Sequence, residues 1–276
     1  MHSGPTYTCL MQTSCTYTDQ MNRTIEVLQP VRRIVSLVPS QSELLADLGL
    51  TDLLEGVTKF CVHPAELREK VQQIGGTKTV KIDKVLELKP DLVIGNKEEN
   101  LQSDIEALEQ HVPVWMSDIT DLASALEMIR QVGLLTGTTE AADQLAAVIS
   151  LKFSELTQEL SEHKKLRTLY LIWKKPYMAA GSGTFIDDCL ARCGLVNCLE
   201  EARYPIVAME AIDPEVILLS SEPYPFAEKH ITELQEQFPQ AKIVLADGEY
   251  FSWYGSRMLG APDYFRKLLK ELHTDQ

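Results

Sequence analysis

The chain has 276 residues, 45 % hydrophobic and 24 % charged, enough apolar material for one large domain or two lobes. Forty Asp and Glu against 26 Lys and Arg give a formal charge of −14, which repels a polyphosphate backbone and argues against nucleic acid as a partner. No stretch reaches the roughly 18 uncharged apolar residues of a membrane span, so no membrane insertion is expected.

Residues 1–20 are rich in Thr, Ser and Tyr without a period, and residues 1–25 read as a disordered extension. They hold no basic region followed by an apolar run, and Cys9 and Cys15 lack the apolar stretch of a lipoprotein signal. The sequence as given therefore points to the cytoplasm; an incomplete start would point to the periplasm or cell envelope instead. "RRIVSLV" is a β-branched strand, and "PSQSELLADLGL" a helix capped by Ser40 or Ser42 and closed at Gly49. Strand and helix signals then alternate through "LLEGVT", "IDKVLELKP", "DLVIGN", "SDIEALEQH", "VPVWMS" and "LASALEMIRQVGLLTG", the signature of an α/β domain with a mainly parallel sheet.

Residues 139–165 contain neither Gly nor Pro and predict one helix of 27 residues, roughly 40 Å long. A second α/β series follows: "RTLYLIW", "TFIDDCLARCGL", "PEVILLS", "EKHITELQEQF", "AKIVLA" and "DYFRKLLKELH". The expected architecture is two α/β lobes with mainly parallel sheets, 26–138 and 166–276, joined by a single long backbone helix over 139–165. The six cysteines form no paired framework; Cys189 and Cys193, at helical spacing with Cys198 nearby, read as core packing, with a metal cluster as the sharper alternative.

"RIVSLVPSQSELLADLGL", "IGGTKTVKIDKVLELKPDLVIG", "AAGSGTFIDDCLARCGLVN" and "DGEYFSWYGSR" occur in that order. With them the chain resembles the class III periplasmic binding proteins, or helical-backbone metal receptors, over residues ~30–272, nearly the whole of a two-lobe fold. The resemblance implies a non-enzymatic, ABC-transporter-type receptor with no intrinsic cofactor. Its ligand would be a metal-containing small molecule held between the lobes: cobalamin or another corrinoid, haem, or an iron chelate. The implied contacts lie in loops after strand ends: Ser40 and Gln41; Phe60, Cys61 and His63; Lys97, Glu98 and Glu99; Trp173, Lys174 and Tyr177; and Tyr250, Trp253, Tyr254 and Arg257. The aromatics among them suit a flat macrocycle or aryl chelate. The resemblance also implies docking to a membrane permease through one acidic residue per lobe, here Asp83 and Glu210, with Asp83 standing where the family has a glutamate.

"KFCVHP" admits three readings. Side chains of an extended chain alternate, so Cys61 and His63 are expected on one side, as packing, as a catalytic pair or as metal ligands, His63 being the stronger ligand candidate. The competing function is an intracellular metal-ion-handling protein or enzyme with Cys61, His63 and Glu98 or Glu99 as ligands.

Overall fold

The computed structural model describes residues 13–273. The expected disorder is corrected for residues 13–25, where Thr13–Thr18 (β1) pairs antiparallel with Thr24–Gln29 (β2); residues 1–12 lie outside the described residues. β-Branched and aromatic residues favour this hairpin, and it packs Tyr17, Ile25 and Val27 against the core. Its turn is held by buried Asp19, whose carboxylate accepts from the backbone of Met21 and Arg23 and pairs with the Arg23 guanidinium.

The N-terminal lobe continues with Ile34–Ser36 (β3), Pro39–Asp47 (α1), Leu54–Val57 (β4), Leu67–Lys70 (α2) and Gln72–Gln73 (β5). A two-stranded ribbon, Gly75–Gly76 (β6) and Thr79–Val80 (β7), leads into Ile82–Glu87 (α3), Leu92–Asn96 (β8), Gln102–Glu109 (α4), Val114–Ser117 (β9) and Leu122–Thr136 (α5). The sheet is parallel in the order β5-β4-β3-β8-β9. β9 is its edge, and the hairpin turn occupies it. Gln20 N donates to Met116 O at 3.1 Å, Met116 N donates to Asp19 Oδ2 at 3.3 Å, and Arg23 donates to Val114 O at 3.2 Å. Backbone groups that would otherwise template another strand are thereby satisfied.

The connecting helix, Thr139–Glu159 (α6), has 21 residues rather than the expected 27, about 30 Å. The chain turns at its end, where the Ser161 hydroxyl and amide both bond Gln158 O. α6 buries Ala142, Ala146, Ile149, Phe153 and Leu156. It lies so close to α5 that a Cβ on Gly133 would stand 2.3 Å from the Ala142 Cβ.

The C-terminal lobe comprises Leu166–Trp173 (β10), Met178–Ala179 (β11), Phe185–Arg192 (α7), Leu195–Asn197 (β12), Val216–Ser220 (β13), Glu228–Gln237 (α8), Lys242–Ala246 (β14), Glu249–Ser252 (α9) and Ala261–His273 (α10). Its sheet runs β11-β10-β13-β14, with β12 also on β10, and only β11 is antiparallel. Gly183, at φ +69°, makes the turn into α7, and the Thr184 hydroxyl caps that helix by accepting from Asp187 N. One continuous core runs from β2 and α1 through α5 and α6 to α7 and α10, so the lobes share packing as well as a connecting helix.

Candidate functional site

In a parallel sheet every βα loop leaves from the same end, where ligands of α/β folds bind. Here the loops at those ends meet across the lobes. Glu43, on the helix after β3, accepts from Arg257 Nε at 3.0 Å. The same guanidinium reaches Glu249 of α9 at 3.0 Å, and His63, after β4, contacts Glu249 at 3.2 Å. Glu98, after β8, pairs with Arg203 and accepts from the Tyr204 hydroxyl at 3.0 Å. Three carboxylates thus tie the lobes together along one cleft.

Arg203 and Tyr204 are delivered by close backbone contact. Gly181 N donates to Arg203 O at 2.7 Å, and a Cβ at position 181 would lie 2.0 Å from Glu201 O. Glycine is the residue that fits there. Gly255, at φ +119°, lets the loop before Arg257 approach α1, where a Cβ would meet Ser40 O at 3.1 Å.

The contact between the lobes is rich in half-buried carboxylates. Burial lifts the Glu43 carboxyl above its ordinary range even with Arg257 bound to it. Glu99 is raised by burial, and the Glu222 and Glu98 charges add to the rise. Glu222, on the loop after β13, is also raised by burial, against the hydrogen bonds it accepts from Ser252 Oγ at 2.6 Å and Trp253 Nε1 at 2.9 Å. Three buried polar atoms near α1 and the Trp253–Arg257 loop make no well-formed hydrogen bond: Gln41 Oε1, the Tyr254 hydroxyl and Ser256 Oγ. Such groups are costly unless something else satisfies them.

The structure divides the expected contact residues. His63, Glu98 and Arg257 pair across the lobes and Glu99 lies within reach of the Glu222 charge, whereas Ser40 and Gln41 are buried in α1, with Gln41 Nε2 donating to Ser117 Oγ of β9 at 2.6 Å. Trp253 and Tyr254 are each only 7 % exposed and belong to the cleft wall. Trp253 meets His63 edge-on and carries the Arg257 guanidinium 5.2 Å above its ring, while Tyr254 meets Phe185. Lys97 is paired with Asp118 of its own lobe at 2.5 Å. Tyr250 is stacked on Tyr264 of α10, with centroids 4.7 Å apart. Phe60 is 50 % exposed beneath Lys59 and beside Gly76 of the β6–β7 ribbon.

Trp173, Lys174 and Tyr177 gather elsewhere on the C-terminal lobe. Trp173 meets Tyr224 edge-on, Lys174 pairs with Glu233 of α8, and the half-buried Tyr177 packs on that lobe's outer core. A cavity of about 360 Å³ there is lined by Lys174, Tyr224, His230 and Glu233 among others.

The expectation that Cys61 and His63 project together is corrected. Cys61 N donates to Thr58 O, closing a turn that buries the thiol against Ser42 and Thr58 while His63 reaches the other lobe. Among the described residues no three His, Cys, Asp or Glu side chains gather as a metal site, so Cys61, His63 and Glu98 do not form a ligand set. Cys189 and Cys193 are core thiols, and burial pushes Cys193 up to about 12.

Sequence reasoning missed Glu43, Arg203, Tyr204, Glu222 and Glu249. "ILLSSEPYPF" carried the signal for Glu222, since it is a strand followed by a loop like those that were considered. Arg203 and Tyr204 lie in irregular chain between β12 and β13, and no periodicity marks them.

Two mainly parallel sheets bridged by one helix, with polar and charged side chains meeting at their loop ends, define a two-lobe binding protein. The chain belongs to the periplasmic binding protein family, whose model matches residues 34–244. The vitamin B12-binding protein of Vibrio campbellii is 25 % identical over 197 residues, 69 % of this chain and 71 % of that protein. That of Pectobacterium atrosepticum is 24 % identical over 255 residues, 87 % of this chain and 89 % of that protein. The periplasmic vitamin B12-binding protein of Vibrio cholerae superposes with a TM-score of 0.77 at 22 % identity, covering 90 % of this chain and 99 % of that one. The periplasmic haem-binding protein of Roseiflexus gives 0.77 at 20 % identity, covering 88 % and 98 %. Family membership overturns the expectation of a cytoplasmic location, since the family is periplasmic and the start of the given sequence has no bearing on it.

Proposed function

We propose that this protein is the substrate-binding receptor of an ABC transporter and holds a metal chelate, a corrinoid, haem or iron complex, between its lobes. The observation that carries the reading is the convergence of strand-end loops from both sheets on one cleft, where Gln41, Tyr254 and Ser256 keep unsatisfied polar atoms. A bound ligand meets that need, and the reading involves no covalent chemistry. The relatives named for vitamin B12 and haem support the ligand class. Purified protein incubated with cyanocobalamin, haemin or a ferric hydroxamate, then desalted, is expected to retain one of them at one per chain by its visible spectrum. Retention of none refutes the reading.

Asp83, in the first turn of α3, and Glu210, on the short 3-10 helix Met209–Ala211, are exposed, one on each lobe, and neither is in an ion pair among the described residues. They are the proposed permease contacts. Reversing both, Asp83→Lys with Glu210→Lys, should abolish association with the cognate permease in detergent and leave chelate binding unchanged. Retained association assigns docking to other residues.

A further inference from the structure

We infer that the cleft selects a chelate that is neutral or cationic overall and fringed with amide or other N–H donors, and discriminates against one bearing free carboxylates. The inference rests on the receptor reading above and narrows its ligand class.

Five carboxylates line the interlobe contact: Glu43, Glu98, Glu99, Glu222 and Glu249. The two arginines among them are already engaged, Arg257 with Glu43 and Glu249, Arg203 with Glu98. His63 also faces Glu249. Lys78, the cation acting on Glu99, donates to the Glu98 carbonyl. A ligand carboxylate directed at either arginine would have to displace its glutamate, leaving that glutamate charged and partly buried without a partner.

Acceptors, in contrast, are free. The Glu99 carboxylate has no hydrogen bond or ion pair among the described residues, and Glu222 uses only Oε1, for Ser252 and Trp253. Gln41 Oε1 is buried and unpaired. Tyr254 is 7 % exposed and lies beside Ser40, with its hydroxyl in the field of Glu99, Glu98 and Tyr204. Surplus acceptors in a desolvated site match a ligand that brings donors, because burying an acceptor against an acceptor leaves both unsatisfied.

Matched ligands test this, since each pair differs only in whether a peripheral group is a neutral, donor-bearing amide or a carboxylate: cyanocobalamin against its side-chain carboxylic acid, and the bis-amide of haemin against haemin. Affinities would be measured by absorbance titration for the wild type and for Glu99→Gln/Glu222→Gln. Gln keeps an acceptor for Trp253, and circular dichroism checks the fold; Glu99→Gln alone serves if the double variant is unstable. In whichever pair binds, the amide member should bind about tenfold tighter or more, and the substitution should shrink that ratio to about threefold or less. Equal or tighter binding of the carboxylate member, or a ratio unmoved by the substitution, overturns the inference alone. Binding of neither pair, nor of a ferric hydroxamate, overturns the receptor reading with it.

Discussion

Arg257 is the residue on which the interlobe contact turns. Its side chain is 16 % exposed and that of Glu43 is 13 %, so the pair is largely withdrawn from solvent. Arg257→Met should leave Glu43 and Glu249 facing each other and cost about 3 kcal/mol of stability, read by denaturant unfolding. A loss under about 1 kcal/mol would mark the pair as solvent-screened. Glu43, Glu99 and Glu222 share a direction: each carboxyl is raised in the folded state, chiefly by burial. Such a group binds its proton more tightly folded than unfolded. Its stabilisation is therefore fully present below the ordinary carboxyl range and is lost as pH rises through the folded value. Glu99→Gln should raise the melting temperature at pH 7.5 and flatten its decline from pH 5 to 7.5. An unchanged pH slope would show that Glu99 contributes nothing to it.

At the scale of elements, two close contacts set the geometry of the site. The α5–α6 contact at Gly133 leaves no room for a methyl group, and helices packed this tightly respond to added volume by shifting. Gly133→Ala should cost about 1–3 kcal/mol in unfolding experiments. An unaltered unfolding midpoint would mean the helices separate freely. The other contact is the hairpin clip on β9. Asp19→Ala removes the acceptor for Met21, Arg23 and Met116 amides together, so the turn should loosen and expose the sheet edge. Faster amide exchange at Met116 than in the wild type would report it.

Across the whole molecule, the lobes are coupled through α6, the shared core and the ion pairs that cross the cleft. A continuous helix resists rotation more than a hinge of separate strands does. Ligand entry is therefore expected to rearrange the loops carrying Glu98, Arg203 and Arg257, with little change in the angle between lobes. Small-angle scattering with and without the retained chelate should show no resolvable contraction, and a contraction like that of a hinged receptor would sink the expectation.

The cap expected from Ser40 or Ser42 does not form, since α1 starts at Pro39 and holds both serines within it, whereas the alternation of strands and helices and the Gly- and Pro-free helix were legible because each depends on local periodicity. The family was legible for the same reason, since its phrases are local scaffold turns. Helix α6 ends at Glu159, short of the expected 165, and the Ser161 hydroxyl bonds back to the Gln158 carbonyl just past that end. Other features depended on what stands opposite. The Thr- and Tyr-rich hairpin is ordered by an edge strand nearly a hundred residues away, and Cys61 and His63 part company because a turn aims one at Ser42 and the other at Glu249. Arg203 and Tyr204 enter the site through a close backbone contact with Gly181, just past the end of β11, that no sequence period marks. The sequence by itself determined the lobes, the helix between them and the loops that would meet; only tertiary structure decided which charges face each other, because Coulombic and desolvation energies depend on distance and burial rather than on order along the chain.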